Sequence, residues 1–208
     1  MTKGNSLGVC ELCGMRKGKA AMVTHLKQCL TSSAKSDATM PVMLLRVQSG
    51  NGSIHWLNAA VGWDGRLKEL DSLLRRVWLE CCGHLSEFYT TGRRKLSMSS
   101  RMTEVFGSIG DRVNYVYDFG SSTELVVSFA GVAGGTSGKP VVLARNEAPV
   151  WPCDVCGQPA ADLCSNCEYE GTGFFCIAHR SGHECGEDML LPVVNSPRMG
   201  VCGYTGEA

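Results

Sequence analysis

Nine of the twelve cysteines, with three of the five histidines, fall in pairs separated by one to three residues, and that spacing constrains the chain more than any other feature. Thiolate and imidazole at such intervals are how a short segment surrounds a tetrahedral metal ion. Cysteines that bind metal must stay reduced, so the pattern argues against a disulfide framework and for a reducing, cytoplasmic setting.

The first four ligands are Cys10-x2-Cys13 and, eleven residues later, His25-x3-Cys29. This is the spacing of a ββα finger, in which a tight knuckle supplies two cysteines and one helical turn supplies His25 and Cys29 on a common face. Thirty residues cannot hold a core alone, and Met22 and Leu26 are expected to supply the few apolar contacts of so small a unit. Zinc is therefore expected to provide much of the folding free energy of a separate unit here, on the order of 10 kcal/mol.

The remaining ligands form four pairs: Cys153-x2-Cys156, Cys164-x2-Cys167, Cys176-x2-His179 and His183-x-Cys185. Eight ligands make two sites, and either neighbouring pairs share a metal or the pairs alternate. A catalytic zinc keeps one position open for water, whereas four protein ligands per ion leave none. The expectation is three structural zincs per chain and no enzyme.

Charge is balanced at twenty basic and twenty acidic residues, but it is unevenly spread. Residues 1–35 hold six Lys/Arg against Glu11, and residues 150–208 hold eight acids against Arg180 and Arg198. Only the N-terminal finger, through Arg16, Lys17, Lys19 and Lys27, offers the charge a phosphate backbone attracts. The acidic surplus argues against nucleic acid at the other end. No apolar run is long enough to span a membrane, and the N-terminal residues lack an apolar signal stretch.

Composition shifts divide the chain into residues 1–30, a linker over 31–41, a central domain over 42–148 and a C-terminal module with tail over 149–208. In the centre, 42–47 reads as a short strand, residues 50–52 as a turn, and Leu67, Leu70, Leu73, Leu74, Val77 and Trp78 mark an amphipathic helix over 66–81. Strands are expected over 85–90, 112–119, 125–130 and 140–145. The simplest arrangement is α+β: one long helix on a mostly antiparallel sheet, flanked by small zinc-binding modules.

His84-Leu-Ser-Glu-Phe88 and Val116-Tyr-Asp-Phe-Gly120, following a strand and a Leu-rich helix, make residues 42–145 resemble the plasmid pRi ORF-three-like family. The resemblance implies an α+β fold, a link to mobile elements and no particular chemistry. Phe175-Cys-Ile-Ala-His-Arg180 followed by His183-x-Cys185 resembles the closing segment of AN-one-type zinc fingers. It implies that the pairs alternate in a cross-brace and that the module binds protein.

Three cysteines lie outside the pairs. Cys81 and Cys82 end the expected helix and read as structural. Cys202 reads as an ordinary core or surface cysteine, with a reactive thiol or an extra ligand as the alternative. His84 with Glu87 and Asp118 has the elements of an acid–base pair, but a histidine hydrogen-bonded across a helix–sheet seam accounts for it equally. Tyr115 and Tyr117 read as one sheet face and residues 131–138 as a flexible turn. The whole chain reads as a cytoplasmic zinc-binding adaptor for a protein partner; the alternative is a DNA- or RNA-associated factor acting through residues 1–30.

Overall fold

The computed structural model describes residues 6–33, 40–50, 54–135 and 138–206. The chain falls into two units, Met1–Arg75 with Leu85–Glu147, and Arg76–His84 with Ala148–Ala208. Of the expected linker, residues 34–39 lie outside the described residues, as do 51–52 of the expected turn at 50–52, residue 53 after it, and 136–137 of the glycine-rich segment 131–138.

In chain order the first unit carries β1 (Leu7–Cys10), β2 (Arg16–Gly18), α1 (Lys19–Ser33), β3 (Met40–Ser49), β4 (Trp56–Gly62) and α2 (Leu67–Leu74). There follow β5 (Ser86–Thr90), β6 (Lys95–Leu96), α3 (Met102–Val105), β7 (Arg112–Tyr117), β8 (Thr123–Gly135) and β9 (Val141–Asn146). Among the described residues these nine strands form one antiparallel sheet in the order β2-β1-β9-β4-β3-β8-β7-β5-β6.

This architecture overturns the α+β expectation of one long helix on a sheet. Over 66–81 the α-helix stops at Leu74 and the backbone widens to a π-helical turn over Arg75–Leu79. The four leucines of α2 are buried as the apolar spacing requires, and Glu69 Oε2 accepts the Arg66 N–H at 3.1 Å to start the helix. The sheet is larger than expected because β4 belongs to it. All seven residues of Trp-Leu-Asn-Ala-Ala-Val-Gly are buried, so this strand has no polar face and shows none of the alternation by which strands are read. The glycine-rich residues 131–135 extend β8 against β3 and are not a turn.

The finger is built into the same sheet. β1 pairs with β2 on one edge and with β9 on the other, and Met22 and Leu26 of α1 are buried among Val42, Leu44, Trp56 and Leu143. Trp56 secures the arrangement: its indole N–H donates to Ser6 Oγ at 2.7 Å and its backbone N–H to Asn146 Oδ1 at 2.9 Å. Residues 6–33 thus share a core with the sheet, and metal is not their sole source of stability.

A part-buried polar knot fixes α2 over β5 and β7. Asp71 Oδ1 accepts the Tyr115 hydroxyl at 2.7 Å and the Ser86 hydroxyl at 2.6 Å, while Asp71 Oδ2 accepts Arg75 Nε–H at 2.9 Å. The Arg75 guanidinium lies 4.8 Å from the centre of the Tyr117 ring. Every lone pair so engaged is one that burial would otherwise leave costly.

The second unit has little regular structure: β10 (Asp162–Cys164) lies between β11 (Phe174–Phe175) and β12 (Leu190–Pro192), both antiparallel to it. Its apolar interior is small, with Trp78, Leu79, Leu163 and Tyr204 buried and Trp151 stacked on Phe174 at 4.9 Å. Ser196 Oγ donates to the Trp78 carbonyl at 2.6 Å, holding residues 76–84 to the C-terminal segment. A unit with so few buried side chains needs cross-links to persist.

Candidate metal centres

Among the described residues four groups of Cys and His bring their ligand atoms within 4.8 Å of one another. No described cysteine is in a disulfide. Zinc bonds of about 2.3 Å to sulfur and 2.0 Å to nitrogen, at tetrahedral angles, put thiolates about 3.8 Å apart and thiolate and imidazole about 3.5 Å apart. Each group can be held against those edges.

In the first unit Cys10, Cys13, His25 and Cys29 form one group. Cys10 Sγ lies 3.9 Å from Cys29 Sγ, and Cys13 Sγ 3.3 Å from His25 Nε2. The knuckle is made by Gly14, whose N–H donates to the Cys10 carbonyl at 2.8 Å, and α1 presents His25 and Cys29 one turn apart. Burial and the nearby Cys13 and Cys10 thiols push Cys29 up to about 12. The set can ionise fully only around a cation.

In the second unit the pairs alternate. Cys153 and Cys156 meet Cys176 and His179, while Cys164 and Cys167 meet His183 and Cys185. In the first of these, Cys156 and Cys176 sulfurs are 3.8 Å apart and His179 Nδ1 lies 3.7 Å from Cys153 and 3.3 Å from Cys176. In the other, Cys167 Sγ is 3.7 Å from Cys185 Sγ and 3.5 Å from His183 Nε2.

In each of these groups the fold favours ionisation of one sulfur. Burial alone raises Cys153, but backbone N–H groups of Cys176, Cys156 and Val155, with His179, outweigh it and bring the thiol down to about 6. Burial likewise opposes ionisation of Cys164, and the Cys167 and Asn166 N–H groups with His183 bring it down to about 7. Around them, Asp154 Oδ2 accepts the Gly173 and Phe174 N–H groups at 2.6 and 3.0 Å, and the Phe175 ring lies 4.6 Å from that of His183. Such outer contacts orient the side chains that could hold a metal.

The fourth group, Cys81, Cys82, His84 and Cys202, lies wholly in the second unit; it joins two cysteines expected to be structural, a histidine expected at a helix–sheet seam and Cys202, for which an extra ligand is the alternative to an ordinary cysteine. His84 Nε2 faces Cys82 and Cys202 at 3.0 and 3.2 Å. The other members of the acid–base constellation are engaged elsewhere: Glu87 with Lys95 and Tyr89, and Asp118 Oδ1 with the Gly120 N–H at 2.9 Å. Hydrogen bonds from Lys95 and then Tyr89 hold Glu87 below the usual carboxylate range.

The residues expected to meet phosphate are largely committed to protein. Arg16 forms a two-point ion pair with Glu147, Lys19 Nζ donates to Gln48 Oε1 at 3.5 Å, and the Lys27 side chain lies over the backbone at Gly131. Lys17 sits in β2, opposite Gly8, and is half-buried.

No protein-family model matches the chain, and no curated protein matches it. Among solved structures, a crystal structure of a protein of unknown function, MM3350 from Methanosarcina mazei Go1, matches at 16% sequence identity with a TM-score of 0.43, covering 51% of this chain and 68% of that one.

Proposed function

We infer that the chain is a zinc-binding adaptor whose structural metal centres display surfaces for a protein partner. The observation that carries this reading is the closure of the ligand sets. Each of the three groups built from the twelve paired residues supplies four protein ligands, which fills a tetrahedral ion and supports a role in holding shape.

Where the partner would bind is suggested by the knuckles themselves. Val155 and Ile177 are 62% and 70% exposed, and each sits inside one of the two ligand pairs that make a single centre, Cys153-x2-Cys156 and Cys176-x2-His179. Apolar side chains rigidly presented in water are what a protein interface uses. The resemblance to AN-one-type modules and the acidic surplus of residues 150–208 favour the same class of partner. Nucleic-acid binding through the finger is the weaker reading, because Arg16 is neutralised by Glu147.

The test is affinity capture from extract of the native source, with and without nuclease treatment, comparing the wild-type chain, a Val155→Ser/Ile177→Ser variant and an Arg16→Gln/Lys17→Gln/Lys19→Gln variant. The adaptor reading expects proteins held by the wild type and the charge variant and lost by the apolar variant. Binding that needs nucleic acid and disappears with the three charges would replace it.

A further inference from the structure

We propose that Cys81, Cys82, His84 and Cys202 form a fourth metal centre, taking a divalent borderline-soft cation of which zinc is the cellular candidate. It goes beyond the adaptor reading, since its ligands are separate from the twelve that reading uses.

Three features carry the assignment. The edges fit an ion: Cys81 and Cys82 sulfurs are 3.7 Å apart and Cys82 and Cys202 sulfurs 3.8 Å, the spacing of thiolates on zinc, with His84 drawn in slightly closer. The donor set, three thiolates and an imidazole, is a common structural zinc set. The third feature is a backbone signature shared with the other centres. Cys13, Cys156 and Cys185 are each followed by a glycine of positive φ, at 73°, 72° and 82°. Cys82 and Cys202 repeat it with Gly83 at 78° and Gly203 at 67°. The left-handed residue turns the chain back so that the preceding sulfur and neighbouring N–H groups face one point, and glycine takes that conformation without steric cost.

Cys202 itself has φ of 51°, the left-handed region that a residue with a Cβ enters only when its surroundings dictate it. On the other side, Glu80 Oε1 accepts the Gly83 N–H at 2.6 Å and pins the turn that lets Cys81, Cys82 and His84 converge. The centre therefore closes residues 76–84 onto the C-terminal segment, parts of one unit separated by most of the β-sheet sequence.

This centre is also the most open. Each of the other three contains a buried cysteine, Cys10, Cys153 or Cys164, whereas here Cys82 and Cys202 are exposed and Cys81 and His84 half-buried. Its ion is the first that a chelator reaches.

Zinc content of the full chain, purified without added metal, is measured for the wild type, Cys202→Ser and Cys202→His. The expected result is about one ion fewer in Cys202→Ser and recovery in Cys202→His, because histidine can replace the lost ligand. Equal zinc in the wild type and Cys202→Ser overturns the proposal whatever the other centres hold, and a low total in both would count separately against the adaptor's zincs. Should Cys202→Ser unfold the unit, alkylation of the wild type decides. Protection of Cys81, Cys82 and Cys202 that is lost first on chelation supports the centre, and immediate labelling of all three in zinc-replete native protein overturns it.

Discussion

Arg16 Nη2 donates to Glu147 Oε2 at 2.6 Å, tying β2 to the residue that follows β9. The pair raises Arg16 and lowers Glu147 from their ordinary pKa values, through the hydrogen bond first and the charge second for Arg16. It also cancels the one exposed cation among Arg16, Lys17, Lys19 and Lys27. Glu147→Gln should release Arg16, so a phosphate-binding finger would gain affinity for duplex DNA in that variant. On the adaptor reading both proteins show no salt-dependent binding between about 50 and 200 mM salt in fluorescence anisotropy. A steep salt slope that grows in Glu147→Gln would favour the nucleic-acid role.

Gly8 is where the finger strand crosses the Trp56 ring. A Cβ there would stand 2.4 Å from the Arg145 carbonyl oxygen and 2.5 Å from the indole, and neither the backbone nor a fully buried tryptophan can retreat cheaply. Gly8→Ala should therefore cost about 1–3 kcal/mol in urea denaturation. Ala substituted at Gly18, where a Cβ meets nothing within 4 Å, is the control and should leave stability near the wild-type value. Equal effects at the two positions would show that the finger is not docked through Trp56.

The contrast between what could be read and what could not follows from which physical signals are local. Ligand spacing is local, because two or three residues fix whether two sulfurs can meet, and the twelve Cys and His that the structure gathers into three groups are paired by spacing alone. Alternation exposes β7, where Val113, Tyr115 and Tyr117 are buried between partly exposed neighbours. It cannot expose β4, buried on both faces, nor the pairing of β1 with β9, whose residues lie far apart in sequence. The helix over 66–81 carried the right apolar face but gave no warning of the π-helical turn. Cys202 lies 118 residues from His84, so no spacing rule joins them. The Cys-Gly dipeptides at 82–83 and 202–203 were the available signal.

His55 is buried, and burial first, then the Arg145 charge, holds its imidazole down to about 4. The native state thus favours the neutral ring, while the unfolded chain takes up a proton near pH 6.5. Above that pH both states are neutral and His55 contributes no pH dependence. As the pH falls from about 6.5 towards 4 the unfolded state binds the proton first, and about 3 kcal/mol of stability is lost. His55→Gln removes this component. The difference in unfolding free energy between wild type and variant, measured from pH 7 to 5, should slope in that direction; parallel profiles would mean the ring is solvated in the native protein.

Cys164 ends β10, the strand between β11 and β12, and its sulfur belongs to the group with Cys167, His183 and Cys185. Cys153 belongs to the other, with Cys156, Cys176 and His179. Because the pairs interleave, removing one ligand should deprotect cysteines far along the chain while sparing nearer ones. Cys153→Ser is expected to lower the zinc content by about one ion and to open Cys156 and Cys176 to alkylation, with Cys164, Cys167 and Cys185 still protected. If neighbouring pairs shared a metal, Cys164 and Cys167 would react instead and Cys176 would stay protected. Acidification should mimic chelation, since protons compete for the thiolates. Cys167, pushed up to about 12 by burial and then by Cys185 and Cys164 when no cation is present, gives up its proton only to metal. Peptide mapping of alkylated cysteines after a brief pulse, at neutral pH and again near pH 5, distinguishes these patterns in one preparation.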